Sequence, residues 1–292
     1  MLDEDFYEKF MKIAFKEAKL SLKEGNKGFG AVIIKNDMIL AQSHDTEITE
    51  NDPTAHAEIN VIRKASKNLG QELQNCILLS THEPCPMCMT AIVWSKISEL
   101  VYSVSIEDSL KQGRNMINIR CKEIKLRSKA NISIKEGILK QKCLILYDTK
   151  IREYIKQFRT AKLQDWKNYE TELMKKRKKW FIENQSQIEK LTGSDVEKAY
   201  KILIIKLDIN EEEAPIIEKT NIKLVFHSKN FCPSLEACKL LDLDTRIICK
   251  EIFERPTEEF IKLLNPKLRF SRNYKFIRPY ADYCEEIISI DN

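Results

Sequence analysis

The sequence is poor in glycine and has no long apolar run. Seven glycines in 292 residues fall well below the roughly 7% of an average chain, which argues against glycine-rich phosphate loops and flexible linkers. No stretch approaches the ~20 apolar residues that a membrane helix needs, so no membrane partner is expected. The opening Met1-Leu2-Asp3-Glu4-Asp5 is acidic where a secretion signal would be basic, and no apolar segment follows it. Net charge is small too. The 49 basic and 44 acidic side chains leave +5, too little by itself to indicate nucleic acid. Nine cysteines, an odd number scattered along the chain, read as thiols in a reducing compartment, some of them metal-bound. The expected location is the cytoplasm.

What is present describes a folded chain. Hydrophobics at 43% and charged residues at 32% suit a soluble globular protein, and roughly 150 residues per domain predicts two domains. Residues 3–23 place Phe6, Phe10, Ile13 and Ala14 on one helical face. Ala31–Ile34 and Met38–Ala41, separated by Asn36-Asp37, predict a hairpin. Asp52-Pro53 predicts a helix start and Gly70 its end. Apolar runs at 76–80 and 100–104 predict buried strands, with a helix over 86–96 between them. This β-β-α-β-α-β order implies an α/β domain over 1–160, a mixed sheet with helices on both faces. Residues 161–195 read as a basic helical connector. Over 150–190 there are 12 Lys/Arg and 6 Asp/Glu, with the run Lys175-Lys176-Arg177-Lys178-Lys179-Trp180 the densest. A basic stripe beside aromatics could hold RNA, although a solvated helix face explains it as well. Ser194-x-x-Glu197 predicts a capping box that opens a smaller α+β domain over 196–292.

The informative residues are His56-Ala57-Glu58 and, 29 positions after His56, Cys85-Pro86-Met87-Cys88. Thiolates at i and i+3 in a first helical turn share a face, and the positive helix end favours the thiolate form. One histidine and two cysteines leave a tetrahedral position open, the pattern of a catalytic zinc (Zn²⁺). Two thiolates cancel the ion's formal charge, so a carboxylate must assist proton removal from water. Glu58 fits that task as proton shuttle. A closed staple completed by His82, His44 or Cys76 is the alternative, but it leaves Glu58 without a purpose. In the C-terminal part, Cys232, Cys238, Cys249 and Cys284 lack common zinc spacing and read as buried thiols.

The H-x-E…P-C-x-x-C order is the signature of zinc nucleobase deaminases. With Phe29-Gly30-Ala31-Val32, Asn51–Glu58 and Glu83–Cys88, the chain resembles the cytidine-deaminase superfamily, in its guanine deaminase and tRNA adenosine deaminase branch. The resemblance implies a three-layer αβα domain around a mixed five-stranded sheet, hydrolytic deamination and a homodimer. It also implies substrate-binding roles for Phe29, Asp45, Ala57 and Trp94. Phe29 would wall the base pocket, and Trp94 matches a guanine-deaminase tryptophan. Asp45 stands where relatives place an asparagine, and Arg114-Asn115-Met116 occupies the stretch where an acidic guanine-binding residue is expected. Residues 265–285 are weakly similar to L-2-amino-thiazoline-4-carboxylate hydrolase-type domains. The expected function is a zinc deaminase of a nucleobase-like or nucleoside substrate. The alternatives are a tRNA-specific deaminase, gripping RNA through the connector, and a non-catalytic binding module on the same fold.

Overall fold

The structure, a computed structural model, describes residues 3–160 and 163–291. The chain divides into two compact units, Met1–Arg159 and Thr160–Asn292.

In the first unit the elements run α1 (Glu4–Glu24), β1 (Gly30–Lys35), β2 (Met38–His44), α2 (Ala57–Leu69), β3 (Ile77–His82), α3 (Pro86–Trp94), β4 (Glu99–Val104), α4 (Ile106–Lys111), α5 (Cys121–Ser128), β5 (Ser133–Glu136), α6 (Lys140–Leu144) and α7 (Thr149–Thr160). The strands form one sheet in the order β2-β1-β3-β4-β5. β1 is antiparallel to β2 and β3, whereas β3, β4 and β5 are parallel. This is the mixed five-stranded α/β sheet with helices on both faces.

The pleat of β1 separates the two helical layers. Ala31 and Ile33 pack with Ala57 and Val61 of α2 in one core, so Gly30, Val32 and Ile34 face the other side. There α1 presses close. A Cβ on Gly30 would lie 2.1 Å from the Ala14 carbonyl oxygen and 2.5 Å from the Ala18 nitrogen. Only glycine lets the helix backbone approach this near.

One helix boundary differs from expectation. α2 starts at Ala57 with His56 as N-cap, not at Pro53. The Asp52 carboxylate instead accepts the backbone N–H and the hydroxyl of Thr54, at 2.8 and 2.7 Å, closing a local turn. His56 thereby lands at the helix start, just past the end of the turn.

The second unit comprises α8 (Leu163–Glu183), α9 (Gln185–Ile188), α10 (Asp195–Leu207), β6 (Ile216–Lys219), β7 (Lys223–Ser228), α11 (Pro233–Leu241), α12 (Thr245–Ile248), α13 (Arg255–Lys262), β8 (Leu268–Arg272) and β9 (Cys284–Ile290). Its antiparallel sheet has the order β6-β7-β9-β8, and α10 and α13 share its core through Val196, Leu203 and Phe260. The basic stretch expected to stand as a connector belongs to this unit. Trp180 and Phe181 of α8 meet the Phe260 ring edge-on at 5.9 and 6.1 Å, and buried Arg177 donates to the Thr257 hydroxyl at 2.8 Å. Apolar residues hidden among lysines dock the helix. Among the described residues, no helix is long and apolar enough to cross a membrane.

Candidate active site

Two helix starts converge beside the parallel strands. His56 is the N-cap of α2 and Cys85 the N-cap of α3, and neither side chain caps its own helix. Pro86 at the first helical position presets the turn that carries Cys85 and Cys88. His56 Nδ1 lies 3.5 Å from Cys85 Sγ and 3.4 Å from Cys88 Sγ. Together these three form the one group of possible metal ligands among the described residues, their donor atoms all within 4.8 Å of one another. Tetrahedral zinc, with Zn–S of ~2.3 Å and Zn–N of ~2.0 Å, sets an S···N edge of about 3.5 Å. The donor set and its spacing fit zinc.

Within the trio the charge is unevenly held, the Cys88 thiol being pushed up by the neighbouring Cys85 sulfur and by burial. The Cys85 thiol is pulled down to about 4 by the hydrogen bond from Cys88, with His56 assisting and burial opposing. Burial works against the His56 imidazolium, yet the Cys85 sulfur, Glu58 and Glu47 together raise it to about 9. The cluster favours a shared positive charge. Glu47 Oε2 lies 3.5 Å from His56 Nε2, where it orients the ring.

Glu58, the second residue of α2, is buried beside this cluster, and the Ser80 hydroxyl of β3 donates to its Oε1 at 2.8 Å. Burial raises its pKa, with His56 and the Ser80 bond opposing. A cavity of about 450 Å³ opens over His56, Glu58 and Cys85, within the size range of small-ligand sites.

Residues 4–104 match the cytidine and deoxycytidylate deaminase zinc-binding region. The chain is 43% identical over 109 residues to guanine deaminase of Bacillus subtilis (strain 168), covering 37% of this chain and 70% of that protein. It is 33% identical over 156 residues to the tRNA-specific adenosine deaminase of the same organism, covering 53% of this chain and 94% of that one. The X-ray structure of Bacillus subtilis guanine deaminase is 40% identical over 39% of this chain and 71% of its own, with a TM-score of 0.35. This chain belongs to the cytidine and deoxycytidylate deaminase family. Its cofactor is zinc, and it is a hydrolase of carbon–nitrogen bonds.

The deaminase brings some of the expected site residues together and not others. Phe29 lines the cavity and stacks on Tyr147 at 5.3 Å with 28° between the planes. Asp45 does not line it. Its carboxylate is fully buried and accepts from the Ser21 hydroxyl at 2.5 Å and from the backbone N–H groups of Lys27 and Phe29, each at 2.8 Å. With three donors from its own chain, Asp45 holds the 27–29 loop in place of a substrate edge. Ala57 is fully buried in the core behind the cluster. Trp94 closes α3 and is 80% exposed, outside the cavity wall.

No fourth His, Cys, Asp or Glu completes a closed metal staple among the described residues. His82 hydrogen-bonds the Glu83 carbonyl through Nδ1 and the Ser109 hydroxyl through Nε2, at 2.8 and 2.7 Å, and burial lowers its pKa to about 4. The neutral ring therefore donates from Nδ1 and accepts at Nε2. His44 pairs with Glu17 and Glu24. Glu83 accepts from Arg120 and from the backbone N–H groups of Ile106 and Cys121, bracing the strand end ahead of Pro84 and Cys85. Cavity residues that the sequence did not reveal are Lys27, Glu47 and Arg152, whereas Arg114 lines the cavity from the stretch where the resemblance expects a substrate-binding residue. Arg152 lies on α7 and reaches back to the Lys27 carbonyl, a contact that no local pattern encodes.

Proposed function

We propose that this deaminase acts on a small nucleobase-like or nucleoside substrate, replacing an exocyclic amino group by oxygen and releasing ammonia. The carrying observation is the buried Glu58 carboxylate lining a compact cavity whose wall includes the Phe29 ring, itself stacked on the buried Tyr147 ring. Stacked rings suit a planar heterocycle.

In this reading His56, Cys85 and Cys88 hold the zinc. When bound, zinc supplies Lewis acidity that makes water nucleophilic at neutral pH. Glu58 accepts a proton from the attacking water and delivers it to the departing amino nitrogen, so amine plus water become carbonyl plus ammonia. Ser80 fixes the carboxylate for both transfers, and Glu47 fixes the imidazole. Phe29 excludes water from one face of the substrate ring, and the buried Tyr147 holds Phe29 in place.

A tRNA-specific reading rests on the 33%-identical relative and on the lysines of α8. Arg177 and Trp180 of that run are engaged in packing, however, and Lys175 and Lys179 pair with Glu172 and Glu183. A second copy of the chain is the partner proposed for the surface where exposed Trp94 lies beside Val93 and Ile124.

The test is ammonia release by the zinc-loaded protein from bases, nucleosides, pterins and tRNA, with Glu58→Ala as control. Release from small heterocycles, lost by about 10²- to 10⁴-fold in Glu58→Ala with zinc retained, is expected. Release from tRNA alone sinks the small-substrate reading.

A further inference from the structure

We infer that Arg114 reads an oxyanion on the substrate, so that the heterocycle losing its amine also carries a phosphate or a carboxylate. The inference rests on the small-molecule reading above and names the class of substrate within it.

Arg114 lines the cavity beside Phe29 and also packs on the buried Tyr147, its guanidinium carbon 5.1 Å from the Phe29 ring centroid and 5.2 Å from that of Tyr147. Two rings fix the plane of the fork. Nη1 is nevertheless buried with no hydrogen-bond partner. A buried charged donor without an acceptor is costly, and a folded protein retains one where something else supplies the acceptor.

The surrounding charges do not supply it. Among the described residues no carboxylate lies within ion-pair distance of Arg114 or of Arg152, its neighbour in the cavity wall. Arg152 Nη1 donates only to the neutral carbonyls of Lys27 and Leu146, at 2.7 and 3.3 Å. Lys27 is already paired with Glu47 at 2.7 Å. Asp45 acts on both arginines only through space, its oxygens being occupied by Ser21, Lys27 and Phe29. The cavity wall thus holds two guanidinium charges without a counterion.

An arginine has donors only. It cannot receive an N–H-rich edge such as that of guanine, and its best partner is an oxyanion, which takes the fork in charge-assisted bonds. Phosphate and carboxylate share that chemistry.

The experiment uses the full zinc-loaded chain and matched pairs: adenosine with its 5′-monophosphate, cytidine with its 5′-monophosphate, and cytosine with 5-carboxycytosine. Calorimetry should show the oxyanion partner binding about 10- to 100-fold more tightly in at least one pair. Which pair responds separates phosphate from carboxylate. Arg114→Gln should remove that advantage and Arg114→Lys should keep part of it. In the unmodified sequence the preferred partner should also shield Arg114 from phenylglyoxal, read by mass spectrometry, while the neutral partner should not. Equal binding within every pair, an advantage that survives Arg114→Gln, or no shielding overturns the inference. Ammonia release from none of these compounds, nor from any other base, nucleoside or pterin, overturns the proposed function instead, and the shielding arm still decides on Arg114.

Discussion

Ser80 donates its hydroxyl to Glu58 Oε1 across 2.8 Å, joining the third strand to the second helix at the floor of the cavity. The hydroxyl fixes where the carboxylate stands and adds no proton of its own. Ser80→Ala should lower kcat by about 10- to 100-fold, the worth of one hydrogen bond to a charged group, with a much smaller change in KM. Zinc content, measured by plasma emission, should stay unchanged. An equal rise in KM at constant kcat would mean that Ser80 serves substrate binding instead.

Asp45 is predicted to act on the loop and not on the substrate edge. An asparagine keeps one acceptor oxygen but turns an NH₂ group toward a donor, so at least one backbone N–H of the 27–29 loop loses its partner. Asp45→Asn should cost about 1–3 kcal/mol in urea unfolding, and KM should rise for all substrates alike. A change in the ranking of substrates would restore the direct contact that the sequence suggested.

The pairing of His44 with Glu17 and Glu24, at 2.8 and 2.9 Å, links β2 to α1 and gives stability a pH dependence. The hydrogen bond to Glu17 raises the His44 pKa against burial, with Glu24 adding to it. That contribution is complete below the ordinary histidine value of about 6.5 and disappears as pH rises through the elevated folded value. For Glu17, burial pushes up but His44 prevails and the pKa falls. Its contribution is complete above the ordinary glutamate value of about 4.3 and is lost as pH drops through the depressed folded value. His44→Gln should therefore lower the melting temperature more near pH 6 than near pH 9. The same loss at both values would show that the charge of His44 is irrelevant.

Gly30 offers a steric test. Gly30→Ala would drive a methyl into the backbone of α1 at Ala14 and Ala18, where no side-chain rotation relieves the clash. The expected destabilisation is on the order of 3 kcal/mol or more, and thermal unfolding by circular dichroism measures it. A cost below about 1 kcal/mol would mean that α1 can slide away from the sheet.

The parts of this molecule that were readable from sequence are those encoded by local spacing. Cys85 and Cys88 share a helical face because they are three residues apart, and the Ser194–Glu197 capping box opens α10 as read. The helix end at Gly70 and the hairpin around Asn36-Asp37 carry equally local signals. What escaped has no such period. β5 is a four-residue strand with exposed ends, and β6 is exposed throughout, so neither shows a buried alternation. Asp45 reads as a ligand contact only through the resemblance, because relatives place an asparagine there. Its direction depends on Ser21 and on the path of the 27–29 loop. Arg152 reaches the cavity by tertiary packing alone, whereas Arg114 stands in the stretch that the resemblance sets beside the substrate.

The helix caps impose a last consequence. His56 and Cys85 are at once the first contacts of the metal cluster and the residues from which α2 and α3 begin. A length change just ahead of either helix would shift a donor atom and a whole layer of the sandwich together, so chain length should drift little there. The stretch from Gly113 to Ile119 carries no such double duty, yet it supplies Arg114 to Ile117 to the cavity wall. New substrate preferences can accumulate in that loop while the reaction machinery stays intact.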